Sequence, residues 1–378
     1  MIPFNKPYLH GRELVYIAQA VANGKISGDG IFTQKCHDFF ENFYGFKKVL
    51  LTTSCTDALE MAAILLEIQP GDEVIVPSYT FVSSANAFAL RGANILFADS
   101  YKEHPNIDPL QIEKLITQKT KAIVVVHYAG VACDMDAIMA ISKLHNIPVV
   151  EDAAQAIDSY YKGRALGSIG TFGTFSFHET KNIIAGEGGL LVINDEKYIH
   201  RAEIIREKGT NRSSFFRGEV AKYGWVDVGS SFLPSDIIAA YLYAQLENIE
   251  IIQEKRKAIW HHYYAQLSVS LANSDIQLPN VADYATNNAH MFYLVCSSLD
   301  ERTALIQYLK DNDIHAVFHY LSLHTSEYYQ DKYLGKSLPN SDFFTETLVR
   351  LPLYYELAEE QVDYICDKVK EFIIKNDK

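Results

Sequence analysis

Between Lys48 and Glu151 the chain alternates short apolar runs with helical patterns, a rhythm that few folds accept. Strand-like runs fall at Lys48–Thr52, Glu73–Pro77, Ala93–Phe97, Ala122–His127 and Pro148–Glu151. Helical patterns lie between them at Ala58–Leu66, Ser83–Leu90, Asp108–Ile116 and Asp136–Leu144. A strand, a crossover helix and a strand place the two strands parallel, and such a sheet buries both faces under helices. The pattern therefore predicts an α/β fold with a large, mostly parallel sheet. Gly173–Phe177 and Gly189–Ile193 add strands, and residues 10–45 read as helix, turn, helix around the glycine-rich Gly24–Gly30. A helical stretch at Ser235–Leu267 leads out of the sheet domain. From about Asn288 a smaller α+β unit follows, with strands at Met291–Ser297 and Ala316–Tyr320 and helices at Asp300–Asn312 and Ala358–Lys375. The expected division is a large domain over residues 1–245 and a connecting helix plus small domain over 246–378.

The net charge of −13 argues against a nucleic-acid or membrane-surface binder, so a phosphate-bearing ligand must be held by local groups. Five scattered cysteines offer neither a disulfide framework nor a zinc-like spacing and fit a reducing compartment. The first residues lack the apolar core of a signal peptide, and no apolar run approaches the roughly 20 residues that span a bilayer. A cytoplasmic protein is the expectation.

The segment Thr174-Phe-Ser-Phe-His-Glu-Thr-Lys181-Asn-Ile-Ile-Ala-Gly-Glu-Gly-Gly189 sets one lysine between an apolar strand and a glycine-rich turn. Lys181 is either a surface lysine or a nucleophile in a shaped cleft, where burial would lower its pKa from about 10.4. Asp152 ends the apolar run Ile147–Val150, at the strand end where open α/β sheets bind ligands. Its carboxylate can pair with a protonated pyridine nitrogen, or cap a helix before Ala153-Ala154. A lysine nucleophile and such a carboxylate together point to pyridoxal phosphate. Thr52–Asp57, before an apolar helix, supplies hydroxyls and free amides for a phosphate; ordinary helix capping by Ser54 or Thr56 is the alternative. Ser176 can reach the same phosphate; Gln155 is either a contact to the cofactor's ring oxygen or a polar helix residue, and Phe81 either stacks on the ring or is plain core. The histidines form no metal-ligand spacing. His178, three residues before Lys181, is a substrate-contact candidate. The basic segment Arg201–Arg217, with Arg212, is either a solvated surface or a loop for an anionic substrate.

These residues together resemble the DegT/DnrJ/EryC1/StrS aminotransferases, which have the aspartate aminotransferase fold (fold type I). The resemblance runs from Ile2-Pro-Phe-Asn-Lys-Pro7 through Gly28-Asp-Gly30, Asp72–Pro77, Glu151-Asp-Ala-Ala-Gln155 and Phe175-Ser-Phe177 to Leu351-Pro-Leu353. His178-Glu-Thr-Lys181-Asn182, Arg206–Arg212 and His319-Tyr320 are similar to the branch that converts dTDP-4-dehydro-6-deoxyglucose to dTDP-4-amino-4,6-dideoxygalactose with L-glutamate as donor. The resemblance implies that Lys181 binds the cofactor covalently and shuttles the proton. It places Asp152 on the pyridine nitrogen, Gln155 on the ring hydroxyl, Thr56, Asp57 and Ser176 on the phosphate, and Phe81 over the ring. His178, Arg212, His319 and Tyr320 become substrate candidates. Dehydratase relatives typically replace the lysine with histidine, whereas Lys181 is present. The family is dimeric with shared active sites, and a partner loop before the long helix completes the phosphate site. That loop usually reads Gly-x-Asn-x-Arg-Met-Ser-Glu. In this chain Ser231 stands for the asparagine and Leu233 for the arginine.

Overall fold

In the computed structural model, which describes residues 1–376, seven strands form one sheet. They are β1 (Val49–Thr52), β2 (Glu73–Pro77), β3 (Asn94–Ala98), β4 (Thr120–Val126), β5 (Val149–Asp152), β8 (Phe172–Ser176) and β9 (Gly189–Ile193), separated in sequence by the short ribbon β6 (Tyr160–Tyr161) and β7 (Arg164–Ala165). Their order is β1-β9-β8-β5-β4-β2-β3. The pairs β8–β5, β5–β4, β4–β2 and β2–β3 are parallel, and β9 alone runs against both neighbours. The helices are α1 (Glu13–Ala22), α2 (Ile31–Phe43), α3 (Cys55–Leu65), α4 (Ser83–Ala89), α5 (Pro109–Leu115), α6 (Met135–His145), α7 (Ile199–Arg206), α8 (Arg212–Phe216), α9 (Asp236–Leu246), α10 (Ile249–Ser268), α11 (Leu299–Asp311), α12 (Pro339–Thr347) and α13 (Glu359–Asn376).

Successive strand residues point to opposite faces, and both faces are apolar. Ile123, Val125 and Val149 join the core under α2, α6 and α9. Their neighbours Ala122, Val124 and Val150 join the core under α3, α4 and α7. This is the covered parallel sheet that the continuous apolar runs predict.

Two expectations are corrected. The helical stretch Ser235–Leu267 is two helices, broken between Leu246 and Ile249. No glycine or proline marks the break; the Asn248 side chain donates to the Ala244 carbonyl at 2.9 Å and so competes with the helical ladder. The second correction is Ala316–Tyr320, which is irregular and holds one isolated bridge, Val317 to Arg350. The second sheet instead pairs β10 (Phe292–Val295) antiparallel with β11 (Leu348–Leu351).

Helix α10 links the two cores. Its Ile249 and Ile252 pack with the sheet, and its Ile259, Trp260 and Tyr263 pack with β10, β11, α11 and α13. The first residues of the chain join this second core, with Ile2 bridging Ile314.

Candidate active site

Carboxyl ends of parallel strands converge on a cavity of about 800 Å³. A wider groove of about 1220 Å³ along the β3 edge contains neither Lys181 nor Asp152. Thr56, Phe81, Asp152, Gln155, Ser176, His178, Lys181, His319 and Tyr320, all singled out from sequence, line the first cavity.

Asp152 ends β5 and is nearly fully buried. Its Oδ2 accepts from Ser84 Oγ at 2.6 Å and its Oδ1 from the Ala154 amide at 3.1 Å. Burial raises its pKa, against these two hydrogen bonds and the Lys181 charge. The layer beneath is densely hydrogen-bonded. Glu151 accepts from the amides of Gly167, Ile169 and Gly170. It also accepts from His127 Nε2 at 3.0 Å, while the Cys133 amide donates to Nδ1 and so sets the tautomer.

Lys181 sits in the loop between β8 and β9. The loop is folded on itself by the Phe177 amide to the Gly188 carbonyl, Ala185 to Phe177 and Glu179 to Gly186. Gly186 has φ +79°, which a non-glycine residue rarely adopts. Lys181 Nζ has no hydrogen-bond or ion-pair partner among the described residues. Desolvation lowers its pKa, opposed by Cys55 and Asp152 and aided by Arg350. A lowered ammonium pKa favours the free amine that nucleophilic attack requires. Asn182 holds the loop from behind: its Nδ2 donates to Gln253 Oε1 at 2.9 Å and the Asn288 carbonyl at 2.8 Å, and its Oδ1 meets His290 Nδ1 at 2.9 Å.

Helix α3 begins against this loop. Ser54 caps it, accepting from the Asp57 amide at 3.0 Å, which leaves the first-turn amides of Cys55 and Thr56 on the cavity side. A Cβ on Gly189 would collide with the Ser54 and Cys55 backbone, so glycine is what lets the helix start approach β9 this closely. Thr56 Oγ1 meets Ser83 Oγ at 2.8 Å, and Ser176 lines the same end. Free amides and three hydroxyls at the start of an 11-residue helix make an anion cradle.

The opposite wall comes from the small sheet, the chain start and the irregular segment 317–320. Gln155 Oε1 accepts from the Ala129 amide at 2.6 Å, and its Nε2 donates to Tyr320 Oη at 2.7 Å. His319 stacks on Tyr320 with centroids 3.5 Å apart and meets Tyr128 Oη through Nδ1 at 2.6 Å. Desolvation holds the His319 pKa well below its usual value. His178 is partly exposed, with Nδ1 3.0 Å from Thr180 Oγ1 and Nε2 3.7 Å from Glu187. Phe81 is 54% exposed at the cavity edge, an aromatic face left open for a planar ligand.

Three sequence candidates are not brought to this cavity. Asp57 turns its carboxylate to the Thr53 hydroxyl. Arg212 is exposed on α8, over the Phe216 ring at 5.1 Å. Ser231 is exposed and bridges Glu207. Leu233 packs where a Cβ on Gly28 would fall. Conversely Phe4, Asn5, Ser83, His290 and Arg350 line the cavity without having been singled out. Phe4 and Asn5 lie inside the matching segment Ile2–Pro7, and Arg350 directly precedes Leu351-Pro-Leu353, so their neighbours carried the available signal.

A model of the DegT/DnrJ/EryC1/StrS aminotransferase family matches residues 7–370. The chain belongs to this family. Solved structures agree with that assignment. The aminotransferase TlmJ of Streptoalloteichus hindustanus is 28% identical, with 100% of each chain covered and a TM-score of 0.92. Streptococcus pneumoniae Spr1654, named as a sugar aminotransferase and solved in its PLP form, is 28% identical, with 99% of each chain covered and a TM-score of 0.89. DesV of S. venezuelae is 28% identical, with 98% of each chain covered and a TM-score of 0.89. DegT/DnrJ/EryC1/StrS aminotransferases use pyridoxal phosphate. The donor set fits that cofactor: an unpartnered lysine, a buried carboxylate at a strand end, and an anion cradle at a helix start.

Proposed function

We propose that this DegT/DnrJ/EryC1/StrS aminotransferase moves an amino group from L-glutamate to C4 of dTDP-4-dehydro-6-deoxy-D-glucose. The product would be dTDP-4-amino-4,6-dideoxy-D-galactose. The reading is carried by Lys181 and Asp152 lining one cavity in a chain of this family. A sugar as acceptor is supported by the likeness to Spr1654. The dTDP-linked 4-keto sugar rests on His178-Glu-Thr-Lys181 and His319-Tyr320, both on the cavity wall.

Pyridoxal phosphate, when bound, supplies an electron sink for the charge left at the carbon that loses its proton. In our reading Asp152 holds the ring nitrogen protonated, Gln155 reaches the ring hydroxyl and Phe81 covers the ring. Thr56, Ser83, Ser176 and the α3 amides hold the phosphate. Lys181 then removes and returns the substrate proton through Nζ. The wall bearing His319 and Tyr320 restricts water and orients the sugar, with His178 at the entrance.

Asp57 and Arg212, both outside the cavity of one chain, are assigned no contact with phosphate or substrate there. Ser231, exposed in one chain, is assigned to a partner's phosphate site in a homodimer with shared active sites. We take residues 1–245 as the cofactor domain and 246–378 as the connecting helix and small domain, a division supported by the passage of α10 from one core to the other. A cytoplasmic setting is supported by five free, buried cysteines; no helix among the described residues is long and apolar enough to cross a membrane.

The test is to incubate the protein with L-glutamate and a panel of dTDP- and UDP-linked 3- and 4-keto sugars and to assign the product by NMR. An axial C4 amine on the dTDP sugar is expected. An amine at C3, or a preference for another nucleotide, would overturn the substrate assignment.

A further inference from the structure

The cavity wall opposite the sheet carries a positive charge that no carboxylate among the described residues pairs with. Arg350, in β11, is the one arginine lining the cavity among the described residues. Its backbone is fixed: its amide donates to the Val317 carbonyl at 2.7 Å, and its carbonyl accepts from the Val317 amide at 3.1 Å. One Nη donates to the Phe318 carbonyl at 3.1 Å, and the guanidinium lies 4.7 Å from the Phe4 ring centroid. Nε is buried and has no acceptor.

The carboxylates of the cavity are engaged elsewhere. Asp152 accepts from Ser84 and Ala154, and Glu187 faces His178. The titratable groups coupled to Arg350 are the phenols of Tyr128, Tyr320 and Tyr79 and, as like charges when protonated, Lys181, His290 and His319. A guanidinium has five N–H donors in a rigid fork that matches a carboxylate, and a desolvated charge without a partner is costly. A fold that keeps such a group in its cavity has a place for an anion.

An amino-acid donor brings a carboxylate attached to the carbon whose proton Lys181 is to move. Arg350 is close enough to Lys181 for its charge to act there.

We propose that Arg350 binds the carboxylate of the amino donor through the Nη–H groups that the Phe318 carbonyl leaves free. The proposal rests on the aminotransferase reading and is independent of which sugar accepts the amine.

The glutamate half-reaction needs no sugar and can be followed alone by the cofactor's absorbance. Arg350→Gln should raise the glutamate KM about 10- to 150-fold, the range of a charge-assisted hydrogen bond. Arg350→Lys should recover part of the loss, since charge returns without the fork. Calorimetry with 2-oxoglutarate gives a readout without turnover and should show the same order: wild type, then Lys, then Gln. Unchanged glutamate KM and 2-oxoglutarate affinity in Arg350→Gln would overturn the proposal. So would an equal loss in the glutamate and keto-sugar half-reactions, which would make Arg350 a general support of the wall. If wild type reacts with glutamate but with no keto sugar, the sugar reading fails and the Arg350 result still stands.

Discussion

The two walls of the cavity are built by different means. On the sheet side most functional groups hang from regular elements, and Lys181 from the hydrogen-bonded loop between two strands. Asp152 is paired in register with Val126 and Thr174, Ser176 with Gly189, and Thr56 occupies the first turn of a capped helix. On the other side Tyr320 and His319 sit in irregular chain, positioned by side chains: Gln155, Tyr128 and their mutual stacking. The sheet wall can hold groups to the tolerance that proton transfer requires. The other wall can change its side chains without disturbing the ladder, as suits a surface that distinguishes substrates.

If that contrast is right, variants on the sheet wall should damage both half-reactions. Lys181→Ala should lower turnover by about 10⁴-fold, as for loss of a proton-transferring group, and abolish the absorbance of the bound cofactor. Near-normal turnover would break the assignment. Asp152→Asn keeps the shape and the Ser84 contact but removes the charge. A fall of about 10²- to 10³-fold in single-turnover rates with glutamate and with keto sugar is expected, comparable to losing one preorganised electrostatic contact.

The outer face of the same wall can be tested by pH. His37 accepts the Leu51 amide of β1 at 3.0 Å, and burial, with Arg206 and Lys48, depresses its pKa to about 3. The unfolded chain binds this proton near pH 6.5 and the folded chain does not. The stabilising contribution is therefore present above pH 6.5 and lost as pH falls toward 3, about 2 kcal/mol by pH 5. Urea melts at pH 7.5 and 5.0 should show this extra loss in wild type and not in His37→Gln. Equal losses in both would discount the sheet's outer support.

The smallest effect is expected on the other wall. Tyr320→Phe removes the acceptor of Gln155 Nε2 at a cost of about 1 kcal/mol. It should raise the keto-sugar KM about fivefold and leave the glutamate half-reaction near normal. Equal damage to both would erase the distinction between the walls.

The same difference decided what could be read from sequence. Strand ends announce themselves: an apolar run that stops at Asp152 or Ser176 gives both position and direction. The lysine loop announces itself through Gly186 and Gly189, one needed for a left-handed turn and the other for close backbone approach. Ala316–Tyr320 has the composition of a strand, yet His319 and Tyr320 face the cavity and Phe318 is 49% exposed. Local propensity does not distinguish those uses. Arg350, between Val349 and Leu351, looks like the outward residue of an edge strand. Only the arrival of residues 4 and 318 around it turns it inward.

Asn182, next to Lys181, touches Gln253 on α10 and Asn288 and His290 at the entry to β10. Asn288 also donates to the carbonyls of Gln155 and Ile157, downstream of Asp152. The cluster is a strut with one foot behind the lysine, one behind the carboxylate and one on the segment leading into the small sheet. The segment that leads into the small sheet is thereby tied to the backbone behind both Lys181 and Asp152 by the same few amide groups.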